Sequence, residues 1–291
     1  MNNFKVTDVR ALPGDAAFLI EYKNTAVLYD TGFAFTGYKV SDNIKKILGE
    51  RNLDAILLTH SHYDHAAGAP YILKRFPKAT VYAGEYAEKI FKKNSAKALM
   101  REMDRKFANK CGVKEYDDLF DQLKVDIALK DGDRFTVGDL NISAIHLPGH
   151  TRCSFGYYIE ELGLLLSSET LGVYDGKEGV VPSILIGTDA AFDSIKKAKK
   201  LSVKQMVIPH YGLISEDTTK IFLSLSEKSA KETYEGIVDI IKNGGSKADA
   251  LQFFKDKYYH GYIKEIYPVD AMELNTGIMI DLIIKEKNAI G

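Results

Sequence analysis

At 291 residues the chain has the length of one large α/β unit or two average domains, and such a chain buries about three quarters of its extended surface without needing a disulfide or metal staple. Lys and Arg number 39 against 40 Asp and Glu, so no overall positive field argues for nucleic acid or an anionic membrane surface as partner. Two cysteines, Cys111 and Cys153, are too few for a disulfide framework and are expected as reduced thiols. The opening Met1-Asn2-Asn3-Phe4 has no cationic segment leading into an apolar one, and no stretch reaches bilayer-spanning length, so a cytoplasmic protein is expected.

The first 30 residues read as a β-meander: Phe4 to Val9, Ala17 to Tyr22 and Thr25 to Tyr29 are β-rich runs divided by Pro13-Gly14-Asp15 and Lys23-Asn24. Ser41 reads as the N-cap of a helix with Ile44, Ile47 and Leu48 on one face and Gly49 at its end. The strand Ala55-Ile56-Leu57-Leu58 then runs straight into His60. Further strands are expected at Thr80 to Tyr82, Asp126 to Leu129, Arg134 to Val137, Leu140 to Ile145, Phe155 to Ile159, Leu164 to Leu166 and Gln205 to Ile208. A smaller helical insertion is expected over about 95–120, with Met100, Met103 and Phe107 at helical spacing. Beyond about residue 213 the pattern is helical. Ala230, Tyr234, Ile237 and Ile241 share a face, Ser246 and Asp249 form a capping box, and a last helix runs from about Val269 to Ile284. The expected organisation is a catalytic domain over 1–212 and a helical extension over 213–291 packed on it.

Thr59-His60-Ser61-His62-Tyr63-Asp64-His65 places three of the chain's seven histidines and a carboxylate within six residues, directly after an apolar run. Imidazole suits zinc, iron, copper or nickel, and a carboxylate ligates a metal or orients its water, which makes this a metal site rather than a solvated loop. His60 and His62 are two apart, so an extended segment projects both to one side, while Asp64 and His65 turn back at a helix start. His150 after Pro148-Gly149, His210 after Pro209 and Glu169 after Leu164-Leu165-Leu166 each stand where an apolar strand gives way to a turn.

These motifs, His60-Ser61-His62-Tyr63-Asp64-His65, Pro148-Gly149-His150-Thr151 and Pro209-His210-Tyr211-Gly212, resemble in order those of the metallo-β-lactamase superfamily, and Asp30-Thr31-Gly32 resembles its opening motif. The resemblance runs from about Ala16 to Gly212. It implies an αββα sandwich of two mixed sheets with a metal site along one edge. Carried over residue by residue, it assigns His60, His62 and His150 to one ion and Asp64, His65 and His210 to a second, zinc by default with iron or manganese open. A hydroxide held between two ions about 3.5 to 4 Å apart would attack an ester, thioester or lactone of a small molecule, with Asp64 orienting it. Glu169 departs from the family's usual bridging aspartate by one methylene. It could bridge from a retracted backbone, bind one ion, or point away.

Lesser candidates carry competing readings. Asp30 is either a group supporting the histidine loop or a structural turn residue, and without a second Asp-Thr-Gly an aspartic protease is excluded. His146 is expected to be structural or supporting, and His260, amid Tyr258, Tyr259 and Tyr262, to be a surface or packed histidine, with pocket lining the competing reading. Tyr63 and Tyr211 flank candidate ligands and either line a pocket or pack. The insertion and the C-terminal tyrosines, Tyr258, Tyr259, Tyr262 and Tyr267, are expected to form an aromatic wall favouring a small, partly apolar substrate. An iron-dependent oxidoreductase of the same fold, or a metal-binding signalling protein with little turnover, are the alternatives to hydrolysis.

Overall fold

The structure, a computed structural model, describes residues 4–290, with side chains through 287. The chain divides into two compact units, one made of residues up to His146 together with Phe155–Ser167, the other of Leu147–Ser154 together with the residues from Ser168 onward. The boundary expected after residue 212 falls inside the second unit. The strand ends bearing His150, Glu169 and His210 are thus grouped with the C-terminal helices.

In the first unit, β1 (Phe4–Asp8), β2 (Phe18–Tyr22) and β3 (Thr25–Tyr29) form the expected antiparallel meander. Helix α1 (Gly37–Leu48) carries the chain to β4 (Ala55–Leu57), which pairs parallel with β3 and sets Tyr29 opposite Leu57. The short α2 (Tyr63–Ala66) and α3 (Ala69–Arg75) lead to β5 (Thr80–Gly84), parallel to β4. After α4 (Glu85–Phe91) and α5 (Asn94–Lys110), β6 (Ile127–Leu129) closes this mixed sheet, parallel to β5. β3 and β4 are buried along their whole length, as near-continuous apolar runs in a covered parallel sheet must be.

A second sheet of the same unit is antiparallel through β7 (Arg134–Val137), β8 (Leu140–His146), β9 (Phe155–Ile159) and β10 (Leu164–Leu166). It faces the first. Tyr82 stacks on Phe135 at 4.5 Å, and two buried phenols pin the layers, Tyr29 donating to the Ser167 carbonyl and Tyr157 to the Leu58 carbonyl, each at 2.6 Å. A buried tyrosine hydroxyl needs such a partner, so each bond also fixes how the sheets register.

The second unit holds a small ladder of β11 (Val173–Tyr174) and β12 (Val180–Val181), helix α6 (Thr188–Ala198), and an antiparallel pair of β13 (Gln205–Ile208) and β14 (Gly212–Leu213). Four helices follow: α7 (Glu216–Lys242), α8 (Lys247–Tyr258), α9 (Tyr262–Ile266) and α10 (Val269–Ile290). The capping box of Ser246 and Asp249 opens α8 as expected. Among the described residues no helix is long and apolar enough to cross a membrane.

Three local expectations are corrected. Helix α1 begins four residues before Ser41, with Thr36 at its N-cap; Ser41 is buried inside the helix, and the start is set instead by Asp15, whose carboxylate accepts from the Thr36 hydroxyl at 2.7 Å. Helical structure in the insertion stops at Lys110, apart from one turn at Phe120–Gln122, because Gly112 (φ 81°) turns the chain left-handed there, its N–H donating to the Asn109 carbonyl and the Val113 N–H to the Ala108 carbonyl. The last helix runs past Ile284 to Ile290.

Candidate metal centre

Two candidate ligand sets are built at strand ends, one in each unit. In the first, the parallel pair β3 and β4 ends side by side, so Asp30 and Thr59-His60 emerge next to each other, the Asp30 N–H donating to the Leu57 carbonyl at 3.0 Å. Asp30 is fully buried with φ 55°, a left-handed backbone that a non-glycine residue adopts at a cost. Its carboxylate accepts from the Thr59 N–H (2.7 Å), the Thr59 hydroxyl (2.8 Å) and His65 Nδ1 (2.8 Å). Burial pushes the Asp30 carboxyl above the usual carboxylate range, and the adjoining His65 and these hydrogen bonds pull it back.

Proton counting then fixes the imidazoles. The Thr59 hydroxyl spends its one hydrogen on Asp30, so at 2.9 Å from His60 Nδ1 it accepts, and His60 carries its proton on Nδ1. His65 does the same toward Asp30. Nε2 is therefore the nitrogen with a lone pair in both rings, the form in which a histidine ligates a metal. The rings cluster, His60 to His65 at 4.0 Å and His60 to His62 at 4.5 Å between centroids. The donor atoms of His60 and His62 lie within 4.8 Å of one another, as do those of Asp64 and His65. His62 is the extended N-cap of α2, and Asp64 and His65 follow in its single turn. Gly68 makes that turn possible, since a Cβ there would stand 2.1 Å from the Thr31 carbonyl oxygen.

In the second unit, Gly149 (φ 147°) turns the chain before His150, where a Cβ would meet Ala191 Cα at 2.8 Å. The His150 N–H donates to Thr170 Oγ1 and its Nδ1 pairs with Ser183 Oγ at 2.8 Å, which again leaves Nε2 as the outward nitrogen. Glu169 opens a one-turn helix capped by the Ser168 side chain. It does not point away: Oε2 is 2.8 Å from His150 Nε2 and Oε1 is 3.5 Å from His210 Nε2. The Tyr267 hydroxyl donates to the same Oε1. His210 is buried with φ 62°, its carbonyl accepting from the Tyr262 hydroxyl and its ring set edge-on to Tyr267. The two histidines that the resemblance assigns to different ions thus bracket one carboxylate.

The remaining candidates separate. His146 ends β8 with its ring against Phe155, as a packing residue does. His260 is exposed, bonds through Nε2 to the Lys257 carbonyl, and lines a charged groove with Glu232 and Lys257 rather than touching the ligand sets. Tyr63 packs on Phe33, which also meets Phe35 and Phe107, so the insertion helix does supply aromatic surface beside the histidine loop. Tyr211 packs between Tyr174 and Tyr262. Of the C-terminal tyrosines, Tyr262 and Tyr267 reach candidate ligands, whereas Tyr258 bonds Thr233 and Tyr259 bonds the Tyr267 carbonyl. Thr59 and Ser183, which orient histidines, and Asp15 and Asp104, which hold the loop after Asp30, went unrecognised in the sequence. Only the hydroxyl beside a histidine, Thr59-His60, offered any local signal.

The donor chemistry fits divalent metal: imidazoles held through Nδ1 with Nε2 presented, and carboxylates set among them. Fold and donor sets together define a two-sheet α/β protein whose strand-end loops carry histidines and carboxylates suited to metal. The chain belongs to the metallo-beta-lactamase superfamily, whose sequence profile matches residues 14–215. Glyoxylase B2 of Dictyostelium discoideum is 33% identical over 130 residues, 43% of this chain and 39% of that protein. A hydroxyacylglutathione hydrolase of Aeromonas salmonicida is 28% identical over 168 residues, 58% of this chain and 51% of that protein. The chain therefore spans about half or less of the length of these curated relatives. Among solved structures, a metallo-beta-lactamase family protein from Thermus thermophilus shares the fold with a TM-score of 0.63 at 15% identity, over 99% of this chain and 95% of that one.

Proposed function

We propose that the chain is a cytoplasmic metallo-hydrolase acting on small thioesters or related esters and lactones, with His60, His62 and His150 on one divalent ion, Asp64, His65 and His210 on a second, and Glu169 between them. The observation that carries this reading is the Glu169 carboxylate, one oxygen directed to His150 and the other to His210. The Glu169 backbone sits in a one-turn helix capped by the Ser168 side chain. When bound, the ions would supply Lewis acidity and lower the pKa of a coordinated water.

The chain's own groups do the positioning. Asp30 and Thr59 hold the proton of His65 and His60 on Nδ1, Ser183 orients His150, and Tyr267 orients Glu169. Asp64, at the start of α2, is the carboxylate we assign to orienting the attacking water. Zinc is the expected metal, and a histidine-rich donor set also accommodates iron or manganese. The thioester preference is supported by the relatives, since a hydroxyacylglutathione is a thioester, and a partly apolar substrate by the half-buried rings of Phe35, Tyr63 and Phe107.

The test is release of thiol or acid from a panel of thioesters, esters and lactones by protein that has been chelated and then reloaded with zinc. Turnover is expected to vanish on chelation and return on reloading. Turnover indifferent to chelation would overturn the reading.

A further inference from the structure

Resting on the hydrolase reading, we infer that a cavity in the second unit receives the apolar acyl chain of the substrate. The cavity, about 40 Å³, lies among β11, β12 and the helices α8, α9 and α10, with Phe254, Met272 and Met279 in its wall. The space is a half-open pocket, so an apolar group can enter it from solvent. Water is a poor occupant here. The lining is largely apolar and its polar groups are engaged: Ser183 with His150, Thr276 with Met272 Sδ, Tyr258 with Thr233, Tyr259 with the Tyr267 carbonyl, and Tyr267 with Glu169. Asn275 is different. Its half-buried side-chain amide lines the cavity and makes no hydrogen bond among the described residues.

An apolar space with one available amide suits a short acyl chain carrying a polar substituent such as a hydroxyl. Its place in the fold makes it a substrate subsite: Ser183 and Tyr267, which form part of its wall, are the groups that hold His150 and Glu169. A chain lodged there lies one side chain away from those two residues. The volume accommodates a few carbons, so reactivity should rise with chain length by about fourfold per methylene until the space is full, then fall.

Two measurements on the zinc-loaded full chain test this. In methyl NMR of methionine-labelled protein, titrated hexanoate should shift Met272 and Met279 while leaving Met100 and Met103, which lie on α5, unmoved. Unmoved Met272 and Met279 would overturn the assignment whether or not the protein hydrolyses anything. In kinetics with acetyl, butyryl, hexanoyl and octanoyl thioesters, Met279→Ala should move the kcat/KM optimum to a longer chain. Asn275→Leu, conservative for folding, should lower the preference for hydroxyacyl over plain acyl substrates about tenfold. An unchanged chain-length profile in a folded Met279→Ala protein, with unchanged hydroxyl preference in Asn275→Leu, would contradict the proposal. If the native protein hydrolysed no thioester, the hydrolase reading would fail while the NMR titration still decided the cavity.

Discussion

A single hydroxyl decides the protonation of the histidine loop. Because Thr59 gives its hydrogen to Asp30, it can only accept from His60, and Asp30 accepts from His65 as well. Asp30→Asn leaves the shape but puts a donor where two hydrogens already point. Metal affinity is expected to fall 10- to 100-fold, approximately the cost of losing such a supporting partner, measured by competition with a chromogenic chelator; an unchanged affinity would reduce Asp30 to a turn residue. Glu169 gives a graded case. Glu169→Asp should retain metal with weakened affinity, since the charge stays and the reach shortens, whereas Glu169→Gln should bind less metal than either. Equal affinity and rate in Glu169→Gln would remove Glu169 from the ligands. The candidate ligands were legible in the sequence because their donor types cluster at strand ends, but their partners were not. Ser183 lies 33 residues from His150 and Tyr267 lies 98 from Glu169, and no local pattern encodes a bond across such separations.

At the scale of elements, β1 to β10 and β13 were legible because buried parallel and antiparallel runs are apolar and punctuated by turn residues, whereas the two-residue β11, β12 and β14 are too short to show a period; the capping box before α8 is a purely local signal. The start of α1 was not, because it is set by Asp15, 21 residues upstream of Thr36. The insertion helix α5 shows how an element can be tied to the site through a buried acid. Asp104 accepts from the Ala34 N–H at 2.8 Å and from the Tyr116 hydroxyl, and burial pushes its carboxyl up to about 6 against hydrogen bonds that lower it. With an unfolded value of 3.8, the native protein keeps a proton across a window in which the unfolded chain has lost it. Stability attributable to Asp104 therefore falls as pH rises from about 4 to about 6, by about 3 kcal/mol in all. Asp104→Asn is neutral throughout and should gain on the native protein by that amount over the same window, read from denaturant unfolding at a series of pH values. A difference independent of pH would show that Asp104 is ionised in both states.

For the whole molecule, the candidate ligands divide between the two compact units, His60, His62, Asp64 and His65 in one and His150, Glu169 and His210 in the other. If ions join these sets, metal binds the native protein and not the unfolded chain, so loading stabilises it by mass action. At free zinc about 1,000-fold above Kd the gain is about 4 kcal/mol, and chelation should lower the melting temperature correspondingly. The two-sheet fold and the order of the histidine motifs were readable from the chain because both rest on residue type and strand position. The grouping of the C-terminal helices with His150, Glu169 and His210 was not, since it depends on side chains such as Tyr262 and Tyr267 meeting residues far away in sequence.

We propose that His60, His62, Asp64, His65, His150, Glu169 and His210 together hold two ions. Elemental analysis of the native chain purified without added metal, alongside His60→Ala and His210→Ala, addresses it most directly. About two divalent ions per native chain are expected, with each variant reduced in metal and in thioester turnover together. A fully active native protein holding one ion or none would contradict this assignment.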